Sequence, residues 1–132
     1  MPDPAAYVSA LQGRPWTPDR HCWALVADAQ RDLFGRDLPP VLIDDKLSAP
    51  DLVRAFHGHP ERARWQEITR PLHGAIVLMH RRRTHARAIH AGVYLALDGG
   101  GVLHVDDPQG VEFASTLDLG LRSWACEFFI PR

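Results

Sequence analysis

The chain has 132 residues, 45% of them apolar, which suits one globular domain spanning residues 1–132 with a core of its own. Fifteen basic residues against sixteen acidic ones leave a formal charge of −1, so the global electrostatic footprint of a nucleic-acid or anionic-membrane binder is absent. The two cysteines, Cys22 and Cys126, form no CxxC unit and are too few for a disulfide framework, so free thiols, no metal and no cofactor are expected.

In chain order, Met1-Pro2-Asp3-Pro4 has neither the basic nor the apolar region of a signal peptide, and no apolar run approaches a membrane span. Synthesis in the cytoplasm is expected. Ala5 to Leu11 suits a short helix stopped by Gly13 and Pro15. A longer helix is predicted to start near Thr17-Pro18-Asp19, where a capping oxygen and a first-turn proline stand together, and to end at Gly35. Within it Cys22, Val26, Ala29 and Leu33 make one stripe suited to packing on a sheet, with the thiol at the rim of the core. Residues 36 to 49 read as loop, and Ala49-Pro50 to the Trp65-Glu67 region as one or two short helices broken at Gly58-His59-Pro60. The period then changes. Ala75 to Met79, Ile89 to Leu97, Val102 to Val105 and Trp124 to Ile130 are short apolar runs bounded by turn residues, the pattern of antiparallel strands. Helices first and strands afterwards predict an α+β domain.

Cys22 opens its apolar helical run, where backbone amides and the helix dipole favour an anion, so a lowered thiol pKa is expected. The same amides would hold an oxyanion. The plainer reading of a single cysteine is a small buried hydrophobe. His90 opens a strand in which Gly92 lacks a side chain, and such a glycine marks close approach of another group; here it would leave room for the helix end that carries Cys22. A helix-borne thiol followed by a strand-borne imidazole is the order of a cysteine nucleophile and its base. His104, beyond the turn Asp98-Gly99-Gly100-Gly101, would orient His90 if an odd number of residues separates the paired strands or a bulge intervenes. His57-Gly58-His59 lacks a third ligand at metal spacing and reads as a solvated helix end. His85 lies in the basic run Arg81-Arg82-Arg83-Thr84-His85-Ala86-Arg87, which reads as a solvated loop, with attraction of substrate carboxylates as the functional alternative. Cys126 alternates with Trp124 and Phe128 as core filler, and no serine has a glycine elbow around it.

With Cys22, His90 and His104 placed, the chain resembles the NlpC-type cysteine peptidases, papain-like bacterial and phage enzymes that cut the peptide stems of peptidoglycan. Gly13-Arg14-Pro15-Trp16 is similar to that family's Gly-x-Pro-aromatic segment, and Cys22-Trp23-Ala24-Leu25-Val26 to its nucleophile motif. Gly74-Ala75-Ile76-Val77-Leu78-Met79 resembles its first strand, His90-Ala91-Gly92-Val93-Tyr94-Leu95 its His-x-Gly-hydrophobic-Tyr signature, and Val102-Leu103-His104 the segment of its third catalytic residue. Trp23, with Phe34-Gly35 and Leu38-Pro39 closing the helix, is most similar to compact members encoded with phage tails and gene-transfer particles.

The resemblance implies a papain-like NlpC fold in which a nucleophile helix packs on a small antiparallel sheet, with His90 and His104 facing the thiol across a groove. It implies Cys22 as nucleophile, His90 as general base and then acid, and His104 as the group that orients His90. Trp16, His21 and Trp23 stand at positions that would contact the stem peptide; many members have Asp and Ser where His21 and Trp23 flank the cysteine. The implied reaction is amide hydrolysis through a thioester, commonly at the bond between D-glutamate and the diamino acid. Implied partners are the peptidoglycan stem peptide and phage-like tail or tail-tip proteins, with no nucleic acid and no membrane, and delivery to the periplasm or cell wall within a virion-like particle. The alternatives are a secreted amidase toxin or acyltransferase of the same fold, and an inactive structural tail-tip module.

Overall fold

The computed structural model describes residues 2–15, 17, 21–39, 48–82, 90–106 and 109–132. Among these, the strands Trp65–Ile68 (β1), Ile76–Arg81 (β2), His90–Leu95 (β3), Gly101–Asp106 (β4), Gly110–Ser115 (β5) and Trp124–Pro131 (β6) form one sheet. Its spatial order is β1-β6-β2-β3-β4-β5, and every pairing is antiparallel. The helices are Pro4–Leu11 (α1), Cys22–Phe34 (α2), Ala49–Gly58 (α3) and Thr116–Leu121 (α4), with a 3-10 turn at Pro60–Arg64. The mixed α and antiparallel β composition agrees with the α+β expectation.

Strand alternation divides the core into two layers. On one face the α2 stripe of Cys22, Val26, Ala29 and Leu33 packs with Ile76, Leu78, Ala91, Val93, Leu103 and Val105. On the other, Val77, Met79, Val102 and Ala114 pack with Trp124 and with Leu119 of α4. Cys126 and Phe128 join this second layer, as their alternation with Trp124 predicts.

The start of α2 differs from expectation. The helix begins at Cys22 rather than near Thr17, and its cap is His21, whose Nδ1 accepts the Ala24 N–H at 3.2 Å. An imidazole lone pair thus does the work expected of a hydroxyl or carboxylate oxygen. The other end follows the sequence: Gly35 takes the left-handed conformation, at φ 65°, that a helix stop favours. Residues 49–67 hold α3 and the 3-10 turn as expected, with the break at His59, but Trp65–Ile68 is an edge strand paired with β6. His57 is exposed at the end of α3, and His59 caps the 3-10 turn by accepting the Glu61 N–H at 2.9 Å.

Candidate active site

The site is assembled where the amino end of α2 meets the first residues of β3. Pairing of Val93 with Leu103 and Leu95 with Gly101 leaves Ala96 to Gly100 as the connection, an odd number of residues, so even-numbered positions of both strands share a face. The same register sets His104 across from Gly92, diagonal to His90. A Cβ added at Gly92 would meet Val102 Cγ1 at 2.6 Å, the Leu103 carbonyl oxygen at 2.7 Å and His104 Cβ at 3.1 Å. The space left by Gly92 is therefore filled by β4 and not by the α2 end, which corrects the expected use of that glycine while keeping its purpose of close approach.

The two imidazoles meet. His90 Nε2 lies 2.8 Å from His104 Nδ1, and both rings are buried, at 6% and 1% exposure. His104 continues outward: its Nε2 is 2.8 Å from Glu112 Oε1, whose partner is Arg122 Nη2 at 2.9 Å, and the same Nη2 is 3.1 Å from Asp118 Oδ2. The indole of Trp124 stacks on His90 with ring centroids 5.6 Å apart, and the Arg81 guanidinium carbon sits 3.7 Å from the centre of the Trp124 ring. Arg81 Nη1 also donates to the Arg122 carbonyl at 2.8 Å.

Cys22 reaches this end of β3 from the other layer. Its thiol is 1% exposed and receives the backbone N–H of Ala91, the residue next to His90, with further help from the Trp23 and Cys22 amides. The rings of His90 and His104 lie on the Trp124 face of the sheet and the thiol lies on the α2 face, so the expected arrangement with both imidazoles facing the thiol across a groove is not the one observed; the Ala91 amide, next to His90, links the two.

Burial sets the charge states. The amides that hold Cys22 pull its pKa down as expected of a helix start, but loss of water outweighs them and pushes the thiol up to about 11. The expected lowering of its pKa is thus overturned by desolvation. Burial, then the neighbouring His104 and Arg81, push His90 down to about 3. His104 is lowered as well, with burial outweighing the opposing pull of Glu112 and Asp106. At neutral pH the resting groups are a thiol and two neutral imidazoles.

The other expected site residues divide. Trp23 is sealed, at 0% exposure, with its ring 5.4 Å from that of Phe56, so it ties α2 to α3 and presents no surface to a substrate in this conformation. His21 is 5% exposed and its Nδ1 is committed to the helix cap. Trp16 and His85 lie outside the described residues. Glu112 and Arg122 were not anticipated; the signal available was the alternation of Val111 and Phe113 around Glu112, which reads as a strand facing the His104 strand. Among the described residues no cluster of three or more metal-ligating side chains occurs. Neither a scan against protein-family models nor a search of curated proteins finds a match to the chain.

Proposed function

We propose that the chain is a cysteine peptidase acting on the peptide stems of peptidoglycan, with Cys22 as nucleophile, His90 as base and acid, and His104 as the group that orients His90. The observation that carries this reading is the 2.8 Å His90–His104 contact at the head of β3, one residue from the amide that holds the Cys22 thiol. The hydrogen-bonded imidazole pair supplies a proton acceptor and its orienting partner, and the amides at the helix-start thiol supply oxyanion donors; the reading requires His90 and Cys22, on opposite faces at the head of β3, to come together when substrate binds.

In the proposed reaction the Cys22 thiol gives its proton to His90 as the sulfur attacks the scissile carbonyl carbon. The Cys22 amide steadies the tetrahedral oxyanion. His90 then protonates the leaving amine, and the C–N bond breaks to leave a thioester on Cys22. Water, deprotonated by His90, attacks the thioester; the acid fragment leaves and the thiol is restored. The high thiol pKa and low imidazole pKa make proton transfer concerted with attack the economical route, because a preformed ion pair is disfavoured by burial. The bond between D-glutamate and the diamino acid, delivery with a phage-like tail, and the papain-like NlpC scaffold all belong to this proposal through the sequence resemblance.

Mass spectrometry of muropeptide digests tests it. The wild type should release stem fragments and Cys22→Ala none; equal cleavage by both would remove Cys22 as nucleophile. A second reading, an inactive structural module on the same scaffold, is favoured by the burial of the thiol and of His90. It requires that no muropeptide be cut by the wild type and that iodoacetamide label Cys22 more slowly than an exposed thiol, without a histidine-dependent pH profile.

A further inference from the structure

The polar chain does not stop at His104. We infer that Glu112 is a positioning residue that fixes the tautomer of both histidines and leaves His90 Nδ1 as the bare nitrogen, the atom that would take the thiol proton in the proposed reaction. Its catalytic meaning rests on the peptidase reading, whereas the tautomers themselves do not.

The assignment starts at the carboxylate. Glu112 stands directly opposite His104 in the β4–β5 register, and Arg122 Nη2 grips the same Oε1 that approaches the imidazole. As a carboxylate paired with a guanidinium, Glu112 only accepts. Its contact with His104 Nε2 is short but bent away from a straight hydrogen bond. A bare nitrogen lone pair 2.8 Å from that oxygen would be repelled, so the proton of His104 sits on Nε2.

A neutral imidazole carries one N–H, so Nδ1 of His104 is then an acceptor. The atom facing it is His90 Nε2, at 2.8 Å, which must donate. The only proton of neutral His90 is thereby placed on Nε2, and its Nδ1 keeps a free lone pair. One acceptor at position 112 sets two tautomers in series, and the β4–β5 register together with Arg122 holds that acceptor in place. Without it, His104 is free to carry its proton on Nδ1 and donate to His90 Nε2. The proton of His90 then moves to Nδ1 and blocks the transfer from sulfur.

Long-range nitrogen-15 NMR of the labelled chain at neutral pH reads the tautomers directly. The wild type should show both His90 and His104 with hydrogen on Nε2. Glu112→Gln retains an accepting oxygen and should keep this pattern, while Glu112→Ala should shift both rings toward the Nδ1–H form. Hydrogen on His90 Nδ1 in the wild type, which needs no variant to fold, or unchanged tautomers in folded Glu112→Ala, would overturn the inference. With muropeptide as substrate, Glu112→Ala should lower kcat by about a hundredfold with KM little changed, the scale of a misplaced base, and Glu112→Gln should restore most of it. Wild-type tautomers as stated in a chain that cuts no muropeptide would remove the peptidase reading and leave the tautomer assignment standing. Cleavage with the opposite tautomers would do the reverse.

Discussion

Cys22 and His90 are both neutral at rest, and the reason is desolvation at the junction of two core layers. Three amides favour the thiolate, yet a sulfur at 1% exposure loses more from missing water than it gains from them. In the proposed reaction Cys22 is therefore activated by proton transfer and not by a preformed thiolate. Cys22→Ala should abolish muropeptide cleavage while lowering stability by only about 1 kcal/mol, the loss of roughly one buried methylene-sized group; mass spectrometry of digests and urea unfolding give the two numbers. His90→Ala should cost about 10²- to 10⁴-fold in kcat, the usual contribution of a positioned base. His104→Ala should cost less, because it orients rather than transfers. At this scale the approach of His90 to His104 was legible, because both stand at even positions joined by a turn of odd length, whereas the place of the thiol on the other face of the sheet was not. Glu112 was not, since its role comes from a strand partner and Glu112-Phe113-Ala114 carries no chemical motif of its own. The charge of Cys22 was also illegible: a helix start announces its dipole in sequence, but the depth of burial is a property of packing.

Among the elements, β3 and β4 carry the geometry of the site, and Gly92 sets how closely they approach. Gly92→Ala would press a methyl group against Val102 Cγ1 and the Leu103 carbonyl, so the strands must part near His104. We expect a loss of about 1–3 kcal/mol in urea unfolding, the usual cost of overpacking, and a weakened His90–His104 contact visible as altered imidazole nitrogen shifts. Full stability would show that the sheet yields without cost. The start of α2 depends on His21, and His21→Ala should cost about 0.5–2 kcal/mol, as other lost caps do, measured in the same way. The long elements were legible because their period is sustained: the α2 stripe and the apolar runs of β2, β3, β4 and β6 each repeat enough to show a face. The missed elements are β1, β5 and α4. β1 is four residues with Gln66 and Glu67 exposed, and α4 is six residues with Leu117 and Leu121 exposed, so neither presents the periodic apolar face that marks a strand or helix; β5 is as long as its neighbours, but its apolar positions Val111, Phe113 and Ala114 fall on both faces around Glu112 and give too brief an alternation to stand out.

For the whole molecule, the buried neutral groups make stability depend on pH from both sides. The folded chain holds His90 neutral down to about pH 3, against an ordinary 6.5, and His104 is lowered too. Below 6.5 the unfolded chain therefore binds protons that the folded chain refuses, and stability falls with decreasing pH toward 3, by at most about 1.4 kcal/mol per pH unit for each proton. On the alkaline side the thiols of Cys22 and Cys126 are raised by burial from 9.0 to about 11. Between those values the unfolded chain releases protons that the folded chain keeps, and stability falls as pH rises. Urea midpoints measured from pH 4 to 10.5 should show a plateau near neutrality with both limbs falling; the Cys22→Ala and Cys126→Ala variants should each flatten the alkaline limb. A midpoint unchanged between pH 7 and 4 would contradict the burial of neutral imidazoles.

In the proposed reaction the Cys22 sulfur becomes covalently attached to substrate. Intact-protein mass spectrometry of samples quenched in acid during muropeptide turnover tests this most directly. A fraction of the wild type should carry the added mass of the acyl fragment, located on the peptide that contains Cys22, increased when water attack is slowed and absent from Cys22→Ala. Muropeptide cleavage that proceeds with no such adduct at any quench time, and at equal rate in Cys22→Ala, would contradict it.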